Sequence, residues 1–264
     1  MLTYEPSRTA YDLHFQIFGI PVRVHPLFWV AMLVLGSNVW SGGGEANSNA
    51  GMMLLIWVVV MFVSILVHEL GHSFVIRHFG GSPRIVLHMM GGLAITDTGP
   101  SWMPQRSNRR LPQQQILISL AGPGAGFVLA ALTATVLVAM GGEFQLSTVP
   151  PFFEAIPSES ISFPVYVLIY FSLYFNIFWG LVNLLPVLPL DGGNVASELL
   201  QMQDPWNGLV KSLKLSIVTG IAVALAGWLM LNSVFMALLF GSLAASNYMT
   251  LQQISGGGNG GRPW

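Results

Sequence analysis

The sequence predicts an all-α polytopic membrane protein with about six transmembrane helices and a short membrane-associated β-hairpin or re-entrant loop. Composition is the first reason: 53% of the 264 residues are hydrophobic and 8% are charged, where soluble domains carry about 25% charged residues. Length is the second. Apolar runs at roughly 24–40, 51–76, 116–140, 163–188, 215–231 and 233–251 each approach the ~20 residues that cross the hydrocarbon core. The third reason is the placement of charge. All ten Lys and Arg fall before the first run, between the second and third, between the fourth and fifth, or after the last, and loops 41–50 and 141–162 contain none. The positive-inside rule then puts both termini in the cytoplasm, which an even number of crossings satisfies. The expected setting is a plasma (inner) membrane, with one transmembrane domain over residues 1–254 and a Gly-rich, disordered tail at 255–264.

Taken in order, residues 13–25, LHFQIFGIPVRVH, alternate loosely and are rich in aromatic and β-branched types, so they read as a strand or hairpin leading into the first span. The first 20 residues include Glu5, Asp12 and His14 and lack the apolar core of a signal peptide. His25, before Pro26, reads as an interfacial hydrogen-bonding group. Loop 40–50 reads as a flexible connection. The stretch GGSPRIVLHMMGGLAITDTG (80–99) has two β-type runs around Gly91-Gly92. Such backbone at membrane depth needs cover by protein or a water-filled cavity. Its edge can take an extended peptide as an added strand, which makes Gly91 and Gly92 candidate substrate-binding residues. His88 and Asp97 read as structural or substrate-side groups. Residues 101–115 form a basic loop suited to anionic lipid. AGPGAGF (121–127) supplies small residues for close helix approach. The acidic, Pro-rich loop 141–164 reads as lying on the extracytoplasmic surface.

The chemistry is concentrated in GMMLLIWVVVMFVSILVHELGHSFVIRHF (51–79), an apolar run carrying His68, Glu69 and His72. Four helical residues advance about 400°, so the two imidazoles share a face and can reach one metal ion. Glu69 is near enough to take a proton from an activated water without being a ligand. His-Glu patterns arise by chance on solvated helix faces, but inside a membrane each such group costs at least ~2 kcal/mol unless paired, solvated or metal-bound. With no cysteine in the chain, a metal must be held by His and carboxylate.

Two His leave a hydrolytic zinc short of its usual three protein ligands plus water. His78 gives HELGHSFVIRH, the spacing of the extended zincin motif, yet Val75 stands where that motif has a turn-permitting glycine. In a continuous helix His78 would face away. Asp191 competes from the end of the fourth span, NIFWGLVNLLPVLPLDGG (176–193), where Pro186 and Pro189 should unwind the chain. A carboxylate in a non-helical segment beside Gly192 and Gly193 favours Asp191.

HELGH in one span, NLLPVLPLDGG ending a later one, the Gly91-Gly92 hairpin, Ala121-Gly122-Pro123 and IFGIPVRVHPLFW (17–29) together resemble the site-2 protease family of intramembrane zinc metalloproteases. The likeness covers roughly residues 15–200. It implies a helix bundle holding one Zn2+ per chain, with His68, His72 and Asp191 as ligands, Glu69 as the catalytic carboxylate and Asn183 near the substrate. The chain has room for neither the PDZ insertion nor the CBS extension many members carry.

The implied reaction is hydrolysis of a peptide bond in or near a transmembrane segment of another, single-span, membrane protein. The expected partners are that substrate and the lipid bilayer, and no nucleic acid. Two other readings compete: a metal-ion transporter, for which polar groups should line the full membrane thickness, and a catalytically silent homologue that binds membrane proteins. Single cysteines at Ser48 and Ser147 should react with an impermeant thiol reagent on intact cells, and one at Ser107 should not; labelling at Ser107 would reverse the orientation.

Overall fold

A computed structural model describes residues 6–36, 49–89, 91–96, 111–149, 151–230 and 232–256. Asp97, the basic loop 101–110, most of loop 40–50 and the tail beyond 256 lie outside the described residues. The chain forms two compact units, one of Thr3–Asn108 and Ala121–Val182, the other of Met1–Leu2, Arg109–Leu120 and Asn183–Trp264.

The first unit begins with β1 (Leu13–Ile17) and β2 (Ile20–Val24), joined by a two-residue turn with Phe18 and Gly19 at φ 53° and 76°. Two positive φ values give the mirror-image turn whose twist matches a hairpin. β3 (Pro83–His88) and β4 (Gly91–Thr96) form the second expected hairpin. The two hairpins are one sheet, because β2 pairs in parallel with β3, Val22 opposite Ile85 and Val24 opposite Leu87. A single four-stranded sheet is thus added to the helical fold, where a strand or hairpin at 13–25 and a separate hairpin or re-entrant loop at 80–99 were expected.

Between β2 and β3 run α1 (Pro26–Leu35) and α2 (Ala50–His78). His25 caps α1, its Nδ1 accepting from Leu27 N–H at 3.2 Å, so the hydrogen-bonding role expected for it holds. As a ten-residue helix α1 is about 15 Å long, shorter than the expected 24–40 span. Among the described residues, five other helical stretches are long and apolar enough to cross a membrane: Ala50–His78, Pro112–Ala139, Phe163–Asn183, Gly208–Leu229 and Val234–Ser255. Phe28, Met32, Met61, Ile65, Ile85 and Leu87 join α1, α2 and the sheet in one core.

α3 (Pro112–Ala139) is followed by β5 (Glu143–Leu146) and β6 (Phe153–Ile156), an antiparallel hairpin where a surface loop was expected. Phe153 anchors it against Leu137, Ile169 and Leu173, and Tyr166 Oη donates to Ala155 O at 3.2 Å. α4 (Phe163–Tyr174) continues through a π-helical turn at Phe175–Trp179 into Gly180–Asn183, where the helix stops short of the expected residue 188.

In the second unit, Pro186 and Pro189 hold residues 184–190 out of helix, as expected. Irregular backbone in a membrane protein needs internal partners, and Leu188 has two: its N–H donates to Ser216 Oγ at 3.1 Å and its carbonyl accepts from Asn247 Nδ2 at 2.7 Å. One expectation is corrected here. Asp191 is not in a non-helical segment; it is the first residue of α5 (Asp191–Gln203). Cβ atoms at Gly192 and Gly193 would collide with the backbone of Leu184 and Val187, so glycine lets the loop fold flat against the new helix. α6 (Gly208–Leu229) and α7 (Val234–Gly256) follow, dividing the 215–251 run at Asn232, which has φ 48°.

The N-terminal hairpin carries a testable ion pair, Arg23 Nη1 to Asp12 Oδ2 at 3.1 Å. Burial alone would raise the Asp12 carboxyl, but hydrogen bonds from the Thr9 side chain and backbone, with Arg23 beside it, more than offset this and hold its pKa below 3.8. A depressed carboxyl stabilises the fold above its unfolded pKa and loses that contribution as pH falls through the folded value. Asp12→Asn should therefore destabilise the protein by up to about 1 kcal/mol at neutral pH, with the gap in melting midpoint closing below pH 3.8.

Candidate metal centre

α2 is continuous from Ala50 to His78 and brings His68, Glu69 and His72 to the interior together, at 9%, 5% and 8% exposure. Their ligand atoms all lie within 4.8 Å of one another. The imidazoles meet edge to face at 82°, with Nε2 of His68 and Nε2 of His72 3.1 Å apart. Two nitrogens bound tetrahedrally to one zinc at 2.0–2.1 Å stand roughly 3.3 Å apart, so the pair fits a shared metal ion.

Three glycines form the walls. A Cβ at Gly122 of α3 would overlap the Nε2 and Cε1 atoms of His72 and crowd Nε2 of His68. One at Gly71 would strike the backbone of Ala121, which is how α2 and α3 approach closely enough for Gly122 to face the rings. A Cβ at Gly92 of β4 would overlap Cγ, Cδ and Oε1 of Glu69. Glycine at 92 therefore lets a strand lie against the carboxylate. The small residues of AGPGAGF do serve close packing, as expected, and Gly122 also borders the imidazoles.

The other expected residues fall in different places. Gly91 begins β4 at φ 117° opposite His88, a conformation that favours glycine. His88 is buried in β3. His78 is the exposed last residue of α2, against Phe79, with the helix unbroken between it and His72. It therefore does not turn back toward the pair. Asn183 and Asp191 belong to the second unit, Asn183 buried at the end of its helix and Asp191 at the first position of α5.

Sequence reasoning missed one polar contact beside the centre. Asn176, in the π turn, is 3% exposed and donates to Ser64 Oγ at 2.9 Å and to Ser172 O at 2.8 Å. The signal was an Asn within an apolar run.

Fold and site together define a polytopic membrane protein whose buried His-Glu-His group is fit to hold a metal ion. The chain belongs to Peptidase family M50, whose signature matches residues 56–227. It is 27% identical over 212 residues to a zinc metalloprotease of Methanocaldococcus jannaschii, an alignment covering 80% of this chain and 51% of that protein. A relative from Synechocystis, named as a candidate zinc metalloprotease, is 30% identical over 193 residues, 70% of this chain and 43% of its own length. The chain thus spans about half the length of these relatives. Its fold is similar to that of the site-2 protease from Methanocaldococcus jannaschii, with a TM-score of 0.52 at 22% identity over 90% of this chain and 94% of that one. The family read from HELGH and the DGG stretch is the family found.

The Gly122 wall gives a direct test. Gly122→Ala should reduce metal retention by more than the roughly 10–100-fold typical of changes outside the ligands, as read by metal analysis of the purified, folded variant.

Proposed function

We propose that this chain is an intramembrane zinc metalloendopeptidase, cleaving peptide bonds in or near transmembrane segments of other membrane proteins. The observation that carries the reading is the buried His68-Glu69-His72 group, with two imidazole nitrogens 3.1 Å apart and a carboxylate beside them in a helix long enough to span a bilayer. Family membership and the zinc metalloprotease relatives support it. His68, His72 and Asp191 are the proposed ligands of one zinc per chain, within one catalytic domain over residues 1–254. When bound, the zinc supplies Lewis acidity, lowering the pKa of water toward ~7 and polarising the scissile carbonyl.

The chain's own residues do the rest. Glu69 accepts the proton of the attacking water and delivers one to the leaving amine nitrogen. Burial keeps bulk water away from that carboxylate. β4 ends the sheet order, and with Gly92 against Glu69 it offers an extended substrate a backbone edge beside the base. A substrate helix must unwind to use it. Gly91 and Gly92 then form part of the substrate track, and Asn183 is assigned a polar role beside the substrate.

Six crossings with cytoplasmic termini complete the reading. The parallel β2–β3 pairing supports it, because the chain leaves the sheet after Val24 and returns at Pro83 through a helix long enough to cross once. A return to one depth needs a second crossing before Ala50. β2 and α1 together supply part of its length, which accounts for a helix of only ten residues.

Glu69→Gln should abolish cleavage of co-expressed single-span proteins, read as fragments by mass spectrometry, while leaving zinc content near wild type. Retained cleavage would exclude the mechanism. The third ligand is tested separately. Asp191→Ala should remove most bound zinc and all activity, and His78→Ala should cost no more than roughly 10–100-fold; the reverse order would move the ligand role to His78.

A further inference from the structure

We infer that Asn176 is a positioning residue for the His68–His72 pair, acting through Ser64 of α2. The inference rests on the metalloprotease reading and concerns what holds the two imidazoles in register.

Ser64, His68 and His72 are spaced by four residues and so share one face of α2, a turn apart. Gly122 and Gly126 are spaced the same way on α3. The first pair of contacts is the centre itself, where Gly122 borders the two imidazoles. One turn away, Asn176 fills the corresponding place: its Nδ2 donates to Ser64 Oγ at 2.9 Å, and its Oδ1 faces Gly126, 3.5 Å from where a Cβ would stand. Ser64, Asn176 and Gly126 are all buried. Three helices thus meet at one amide directly beside the layer that carries the ligands.

The backbone around Asn176 is shaped for this contact. Phe175–Trp179 is a π-helical turn, the kind of insertion that re-aims a side chain within a helix. The second donor contact of Asn176 goes to Ser172 O at 2.8 Å, which fixes the amide's rotamer. Simple helix adhesion does not require such an arrangement at this level. A different polar pair, Thr133 Oγ1 and Ser172 Oγ at 3.2 Å, already joins α3 to α4 farther from the centre. The Asn176–Ser64 bond instead fixes the rotation of α2 about its own axis, the degree of freedom that decides whether His68 and His72 point at the same place.

Co2+ is the probe, because its visible d–d absorption reports tetrahedral coordination. Apo-protein in detergent micelles, checked for helical content and monodispersity, is titrated with Co2+ as wild type, Ser64→Ala, Asn176→Leu, the double variant, Ser64→Thr and Thr133→Val. Ser64→Ala and Asn176→Leu should each weaken Co2+ binding by about 10–100-fold and alter the absorption. The double variant should be no weaker than the poorer single one, as two ends of one interaction require. Ser64→Thr, which keeps the hydroxyl, should restore binding, and Thr133→Val should bind as wild type does. Should Asn176→Leu fail to fold, the comparison of Ser64→Ala with Ser64→Thr decides the matter. Binding by Ser64→Ala as tight as wild type, with the same spectrum, overturns the inference and leaves the metal reading intact. Wild type that binds no Co2+ overturns both.

Discussion

Two imidazoles and a carboxylate are buried in a helix whose other residues are almost all apolar, and a bilayer offers such groups no water. The surroundings of α2 answer that constraint. His68 and His72 turn their Nε2 atoms toward each other, β4 lies along Glu69, and α3 closes against the rings. A lone ionisable group at this depth would be an expensive defect. Three of them, gathered and walled in, make a binding place for a cation.

The walls depend on what is missing from three side chains. Gly71, Gly92 and Gly122 each stand where a single methyl carbon would overlap a neighbour, two of them on the His and Glu side chains themselves. Main chain can therefore approach the functional atoms more closely than any side chain could. The second unit uses the same device at Gly192 and Gly193, with Ser216 and Asn247 supplying the hydrogen bonds that the proline loop cannot make with itself.

Local pattern made much of this legible in the sequence. Helical spacing paired His68 with His72, β-type runs at 13–25 and 80–99 marked the hairpins, although Gly91 and Gly92, read as lying between two runs, are paired residues of β4, and Pro186 and Pro189 marked the end of a span. The parallel union of β2 with β3 was not legible, because two strands separated by a membrane helix carry no sign of each other. Nor was the β5–β6 hairpin, whose strands are only four residues each and carry Glu143 and Glu154 beside a Pro150-Pro151 connection, so that the stretch reads as a polar surface loop. Asp191 was expected outside a helix because Pro186 and Pro189 unwind the chain just before it, whereas the next helix begins at Asp191 itself. Only contact with Leu184 and Val187 explains why Gly192 and Gly193 belong to a helix. Asn176 gave an ambiguous signal, since an Asn in an apolar run does not name its partner.

The β2–β3 pairing also sets an order of assembly. Translation delivers β1 and β2 together, and that hairpin can form at once across the Phe18-Gly19 turn. The other edge of β2 has its partner only once β3, nearly 60 residues farther along the chain, has been synthesised. Closing so long a loop is slow, because its entropy is lost before the strand contacts repay it. Through that interval Glu69 is already made but not yet covered by β4, so the strand that flanks the carboxylate is among the last parts of this unit's sheet to arrive.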